Sequence, residues 1–364
     1  MRPNLTLLSI VFLSFFSVSS FTQSTRNTKV EIKGNQFFIN DQPTYQGRVW
    51  KGNKIEGLLM NSRMVQGIFD DLNPETVKNW EYPDTQTWDP DRNTQEFLDQ
   101  MAVWKSYGLL SFTINLQGGS PFGYSQNQPW INSAFTEKGE LRDAYFKRLE
   151  KILDRADELG MAPIVGLFYF GQDEGLQDEQ AVIHAVENAV DWILKKGYQN
   201  VLIEVNNECN VRYDHEILQP DRVHELIELV KNKRWKGRRL LVSTSYGGGT
   251  VPKENVVQSA DFILLHGNGV KDPKNITAQV EATRKVEGFA NQPIVYNEDD
   301  HFEFDQELNN FTAAIAAYAS WGFFDYRMKE EGFEAGYQSV PVDWGINSER
   351  KKGFFELLKE ITGY

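Results

Sequence analysis

The chain has 364 residues, 40% hydrophobic and 24% charged, enough to bury one large core or two small ones. A formal net charge of −13 and a pI of about 5.0 argue against nucleic acid as a partner, since phosphate binding needs a basic face. The single cysteine, Cys209, excludes an intramolecular disulfide and reads as a small packing residue.

Residues 1–20 read as a secretory signal peptide. Arg2 precedes the short apolar run Leu5–Phe16, and the small residues Ser17-Val-Ser-Ser20 follow it. The run is too short for a comfortable bilayer span, so the expected location is secreted or periplasmic, off the membrane after cleavage. An uncleaved anchor is the alternative. Residues 21–43 hold a β-hairpin, because Val30–Pro43 alternates apolar and polar side chains around Gly34-Asn35.

Residues 44–364 alternate short apolar runs with amphipathic stretches. The expected strands are Thr44–Val49, Leu109–Leu116, Ala162–Phe170, Val201–Asn206, Leu240–Ser245, Phe262–His266, Pro293–Tyr296 and Gly322–Tyr326. Between them, Leu141 to Ala156 form one helical face stopped by Gly160, and Val182 to Leu194 form another stopped by Gly197. Val223, Leu226, Ile227 and Val230 mark a further helix. Phe311, Ile315, Tyr318 and Ala319 mark the one before the last strand, and Phe354 to Ile361 the closing one. Eight such alternations predict an α/β fold, a (β/α)8 TIM barrel. Gly247-Gly-Gly249 lacks the spacing of a dinucleotide or phosphate loop and reads as a flexible loop, and no cofactor is expected.

Two long connections, Lys51–Asn93 and Gln117–Gly139, would emerge at the C-terminal face, where barrel enzymes keep their sites. The second carries Phe122, Tyr124 and Trp130 in a charge-free run that suits a sugar, with aromatic faces for pyranose rings and amides for hydroxyls. A surface insertion packed by its own aromatics is the plainer reading. The fourth strand ends Ile203-Glu-Val-Asn-Asn-Glu208, and the seventh ends Pro293-Ile-Val-Tyr-Asn-Glu298. Strands four and seven oppose each other across an eight-stranded barrel, so Glu208 and Glu298 can face one another, as glycosidic cleavage requires. By parity, Glu204 and Asn206 would point inward with Glu208. Rim carboxylates capping helices are the alternative.

Other residues at expected site-facing ends are His266, Asn115, Tyr169 and Arg48. Arg48 would bind a carboxylate or sulfate on the substrate, or serve as an ordinary ion-pair partner. A metal-dependent barrel hydrolase using His266, Asp300 and His301 is a second enzyme reading. A non-catalytic glycan-binding barrel is a third.

The two Glu-ended motifs resemble the fourth- and seventh-strand signatures of clan A glycoside hydrolases, especially the cellulase-like family five. His266 resembles the sixth-strand His that lines the same site. The resemblance implies a retaining glycosidase acting on a carbohydrate, with Glu208 as acid/base carrying a raised pKa and Glu298 as nucleophile. It also implies that Asn207 binds the sugar 2-OH. The chain departs from the pattern where Cys209 replaces a Pro, where Gly267-Asn-Gly269 lacks an aromatic, and where no Trp ends the eighth strand. Tyr326 or Trp344 is the expected substitute for that Trp.

Overall fold

The computed structural model describes residues 26–125 and 127–364; the expected signal peptide lies outside them. Eight short parallel strands alternate with eight helices. The strands are β1 (Asn61–Ser62), β2 (Thr113–Asn115), β3 (Ile164–Tyr169), β4 (Leu202–Asn207), β5 (Leu241–Ser243), β6 (Ile263–His266), β7 (Ile294–Glu298) and β8 (Gly322–Phe323). The helices are α1 (Pro90–Ser106), α2 (Asp143–Leu159), α3 (Glu179–Lys196), α4 (Val223–Asn232), α5 (Glu254–Ser259), α6 (Pro273–Thr283), α7 (Asn310–Ala316) and α8 (Glu349–Thr362).

The strands neighbour one another in chain order. β2 through β5 form one parallel sheet, with Gly166 opposite Asn115 and Glu204, and Ser243 opposite Glu204. β1 pairs with β8 and is bridged to β2 through Arg63 and Thr113, while β6 pairs with β7, which is bridged to β8 through Val295 and Ser320. Between β5 and β6 no ladder is formed among the described residues; the Asp261 N–H donates to the Val242 carbonyl there at 2.9 Å.

The helices end where the sequence provides stops. Gly160 and Gly197 take left-handed backbones at the C-termini of α2 and α3, a conformation a Cβ penalises. Each helix turns an apolar stripe onto the strands: Val182, Ala185, Val186, Ala189, Val190, Ile193 and Leu194 of α3 are all buried. Helix α7 stops sooner than its pattern suggests, and Tyr318 beyond it is left-handed. No helix among the described residues is long and apolar enough to cross a membrane.

The N-terminal hairpin forms as expected, Val30–Lys33 against Gln36–Ile39. Its Val30 N–H donates to the Gln199 carbonyl just before β4, and its buried Phe37 packs edge-on against Phe262 just before β6. The hairpin therefore covers the N-terminal ends of the strands and leaves the C-terminal ends open.

The expected first strand, Thr44–Val49, does not join the parallel set. Tyr45 and Gly47 take positive φ, so the segment turns, and Val49–Trp50 forms a small antiparallel pair with Asn53–Lys54. The true β1 lies inside what reads as a long loop in the sequence.

Candidate active site

Two backbone irregularities build the site. Between Leu265 and His266 the β6–β7 register slips, so that Leu265 faces Tyr296 while His266 faces Glu298, with Asn297 as the extra residue. A bulge of this kind re-aims side chains at a strand end. Across the mouth, Glu208 follows β4 with a φ of 51°, which breaks the strand's alternation. Its N–H donates to Ser245 Oγ at 3.0 Å, and that hydroxyl donates to Glu204 Oε1 at 2.6 Å.

One carboxylate oxygen of Glu208, one of Glu298 and a ring nitrogen of His266 all lie within 4.8 Å of one another. His266 Nδ1 is 2.9 Å from Glu208 Oε1 and 3.7 Å from Glu298 Oε2. Glu298 is held from two further sides: Arg63 Nε lies 2.7 Å from Oε2, and Asn268 Nδ2 donates to Oε1 at 2.6 Å. Arg63 Nη1 also approaches Glu204 Oε2 at 3.8 Å. Three carboxyl groups thus share one guanidinium and one imidazole in a largely buried space, an arrangement that favours retaining a proton.

The proton distribution differs from the sequence expectation. Burial alone would push Glu208 up, but the His266 hydrogen bond and charge, backed by Arg63 and the Gly248 N–H, hold it below the ordinary glutamate value. Burial raises Glu298 beyond what Arg63, His266 and Asn268 pull down, and the neighbouring Glu208 adds to the rise. For His266 burial acts downward, and the Glu298 and Glu208 carboxylates outweigh it and raise the imidazole. The raised pKa expected on Glu208 therefore falls on Glu298 and His266, because the imidazole lies closer to Glu208.

Of the residues expected here, Asn115 on β2, Tyr169 on β3 and Asn207 on β4 do end neighbouring strands, all buried. The Asn115 amide and Asn207 Oδ1 have no hydrogen-bond partner among the described residues. Gly166 makes room for Asn115, since a Cβ there would run into its amide. Tyr326 lines the rim, with its ring 5.1 Å from Tyr124, whose hydroxyl donates to Asp300 Oδ2 at 3.1 Å.

Two expected site residues lie elsewhere. Arg48 sits beyond the hairpin and donates to the Glu360 and Ile361 carbonyls at the end of α8, at 2.5 and 2.9 Å. It precedes the true β1, so it is remote from the strands' C-terminal ends. Trp344 is fully buried among Phe97, Trp104 and Tyr337, with Nε1 donating to Asn93. Trp130 packs on Trp80 and Phe122 and also lines a cleft of about 670 Å³ along 127–133, so the loop aromatics both hold the loops and border open space. Asn206 is also committed, to Thr244 Oγ1 and the Leu218 carbonyl, and not to the cleft as parity suggested.

Sequence reasoning missed Arg63, Asn268 and Ser245. Arg63 follows Leu58-Leu-Met60, a three-residue apolar run that was the available signal for β1. Gly247-Gly-Gly249 is also no mere flexible loop: a Cβ on Gly248 would strike the Asn268 backbone, and the Gly249 N–H donates to the His266 carbonyl.

The metal alternative does not form as expected, because His266 groups with the two glutamates and not with Asp300 and His301. Asp299, Asp300 and His301 cluster separately, but Asp299 already accepts from Trp321 Nε1 at 2.9 Å and from the Asn310 amide. Glu208, His266 and Glu298 are close enough to share a cation, yet Arg63 already places a fixed positive charge 2.7 Å from Glu298. Neither donor set fits a resident metal well.

A cleft of about 530 Å³ opens beside the pair, lined by Tyr124, Ser125, Tyr169, Phe170 and Arg212. A second, of about 670 Å³, shares Arg212 and runs along 127–133 and 171–175.

No family model matches the chain, and no curated protein matches it in sequence. Solved structures do match in fold. A glycoside hydrolase family 5 structure from Bacteroides vulgatus ATCC 8482 is similar at a TM-score of 0.55 and 13% identity, over 91% of this chain and 70% of that one. A GH5-4 broad specificity endoglucanase from Bacteroides salanitronis gives 0.54 and 11%, over 84% and 93%. One from Clostridium acetobutylicum gives 0.52 and 10%, over 84% and 97%. At these identities the likeness is one of fold.

Proposed function

We propose that this chain is a glycoside hydrolase of the family-five type, with its eight strands closed into one (β/α)8 barrel, that cleaves a poly- or oligosaccharide with retention. The observation that carries the reading is the approach of Glu208 and Glu298, oxygens within 4.8 Å, from β4 and β7. Retaining enzymes hold their carboxyl groups about 5–5.5 Å apart, whereas inverting ones leave about 6.5–9.5 Å for a water.

In this reading the Glu298 carboxylate attacks the anomeric carbon while the glycosidic C–O bond breaks and Glu208 protonates the departing oxygen. A water then attacks the anomeric carbon of the glycosyl ester, giving its proton to Glu208 while the C–O bond to Glu298 breaks and the Glu298 carboxylate is released. Asn268 donates to Glu298 and Arg63 pairs with it as a counter-charge, keeping it oriented and ionisable. The Glu208–His266 pair, 2.9 Å apart, holds the transferable proton between an imidazole and a carboxyl, so Glu208 need not carry it at rest. Asn207 and Asn115 offer buried amides for sugar hydroxyls. The leader expected at residues 1–20 would suit a secreted enzyme acting on external glycan.

The test is a panel of plant and algal polysaccharides with NMR of the fresh products. Hydrolysis with the anomeric configuration kept is expected, and Glu298→Gln and Glu208→Gln should each lower kcat by at least about 10²-fold. Inverted product, or activity untouched in both variants, would remove this mechanism. Loss of activity on adding EDTA would instead favour a bound cation.

A further inference from the structure

The geometry points to an anion-reading sugar subsite at Arg212, beside the cleavage site, that takes a glycan unit bearing a carboxylate or a sulfate; it rests on the hydrolase reading above. Arg212 is the only basic residue among the described residues lining either of the two adjoining clefts, and it is common to both. The chain around it is strongly acidic overall, at −13, so general charge does not explain a cation placed there.

The backbone that carries Arg212 is held in place, while its side chain is exposed. Arg212 lies four residues after Glu208 and takes a φ of 35°, a backbone that side chains other than glycine rarely adopt. The turn is tied down on both sides. The Val211 N–H donates to the Glu208 carbonyl at 2.8 Å, and the buried Tyr213 hydroxyl donates to the Asn207 carbonyl at 2.6 Å. The head group lies 5.8 Å from the centre of the Phe170 ring and crosses the bare face of Gly171, where a Cβ would stand 3.5 Å from Nη2 and 3.0 Å from Gln128 Nε2. Gln128 is itself anchored on the Phe170 carbonyl at 2.9 Å.

A planar guanidinium matches the paired oxygens of a carboxylate or sulfate, while Tyr169 and Phe170 give faces for a sugar ring. Each cleft falls in the usual range for small-molecule sites, about 300–1,000 Å³. The one acidic residue lining them among the described residues, Glu174, is exposed on the second cleft. Carboxylate and sulfate share this chemistry, and the test separates them.

Binding is measured on the Glu208→Gln protein, so that turnover is not needed. The probes are glucuronoxylan against its carboxyl-reduced form, and carrageenan against its desulfated form. Tighter binding to the charged member of either pair is expected, weakening with salt. In Arg212→Gly, which the left-handed backbone accepts, that preference should fall by roughly tenfold or more. Arg212→Lys, which keeps the charge but loses the planar fork, should fall between. Equal binding within both pairs, including none at all, or a preference unchanged in Arg212→Gly, overturns the subsite. If the wild type hydrolyses no glycan at all, the hydrolase reading fails, whatever Arg212 binds.

Discussion

The guanidinium of Arg63 lies 2.7 Å from the carboxylate of Glu298 where the two side chains are only 1% and 6% exposed. Removing one partner of such a pair leaves the other buried and uncompensated, which costs about 3–5 kcal/mol. Arg63→Met should therefore destabilise the fold by that order in denaturant unfolding, as well as abolish turnover. The loss should depend on pH. A carboxyl raised in the folded state contributes its stability in acid and loses it as pH rises through the folded value. Glu298 is already raised by burial, and losing Arg63 raises it further. The penalty should thus be smallest in acid and grow toward neutral pH; a pH-independent penalty would count against the pairing.

The His266–Glu208 contact sets the other side of the pH profile. Activity needs Glu298 ionised and one proton on the Glu208–His266 pair. It should fall in acid as the raised Glu298 takes up a proton, and in base as the raised His266 gives one up. In His266→Gln the last proton is held by a carboxyl alone, so the alkaline limb of kcat/KM should move to lower pH. An alkaline limb that stays in place would show that His266 only fills space.

Much of this layout was legible in the sequence, and the parts that were not have physical reasons. Strands β2 to β8 each fall within or beside an apolar run bounded by a helix stop and a polar tip, so period and punctuation located them. Strand β1 has two laddered residues followed by Arg63, and a buried, ion-paired arginine has the same letter as a surface one. The glutamates could be paired from strand order alone. The slip at Leu265/His266 and the φ of Glu208 could not, because backbone register leaves no compositional trace. Trp130 and Trp344 illustrate another limit: an aromatic side chain in a loop fits a sugar or a core equally well until its neighbours are known.

Arg48 gives a direct contrast with Arg63. Its bonds to the last carbonyls of α8 are partly exposed, and hydrogen bonds from a charged donor contribute about 1.5–3 kcal/mol at most when well shielded. Arg48→Ala should lower the melting temperature by a few degrees, equivalent to about 1 kcal/mol, with kcat/KM unchanged. A fall in kcat/KM on an anionic glycan would return Arg48 to the substrate path.

Gly267 stands between His266 and Asn268, two of the side chains that touch the catalytic glutamates. A Cβ at this position would run into the Asp299 carboxylate. That carboxylate cannot easily give way, because Trp321 Nε1 and the Asn310 amide donate to it and His301 Nδ1 lies 2.7 Å away. The strain in Gly267→Ala should instead move the β6 tip, lengthening the 2.6 Å Asn268–Glu298 bond and the 2.9 Å His266–Glu208 contact. Displacements near 1 Å at such positions cost on the order of 10²-fold in rate. The variant should therefore fold with near-native circular dichroism yet lose kcat far more than it raises KM. Asn268→Ala, which removes one donor to Glu298 and leaves the strand alone, should show a milder kcat loss with the acid limb shifted to higher pH. Equal losses in the two variants would mean that Gly267 acts through Asn268 only, and native activity in Gly267→Ala would show that the β6 tip does not need the register seen here.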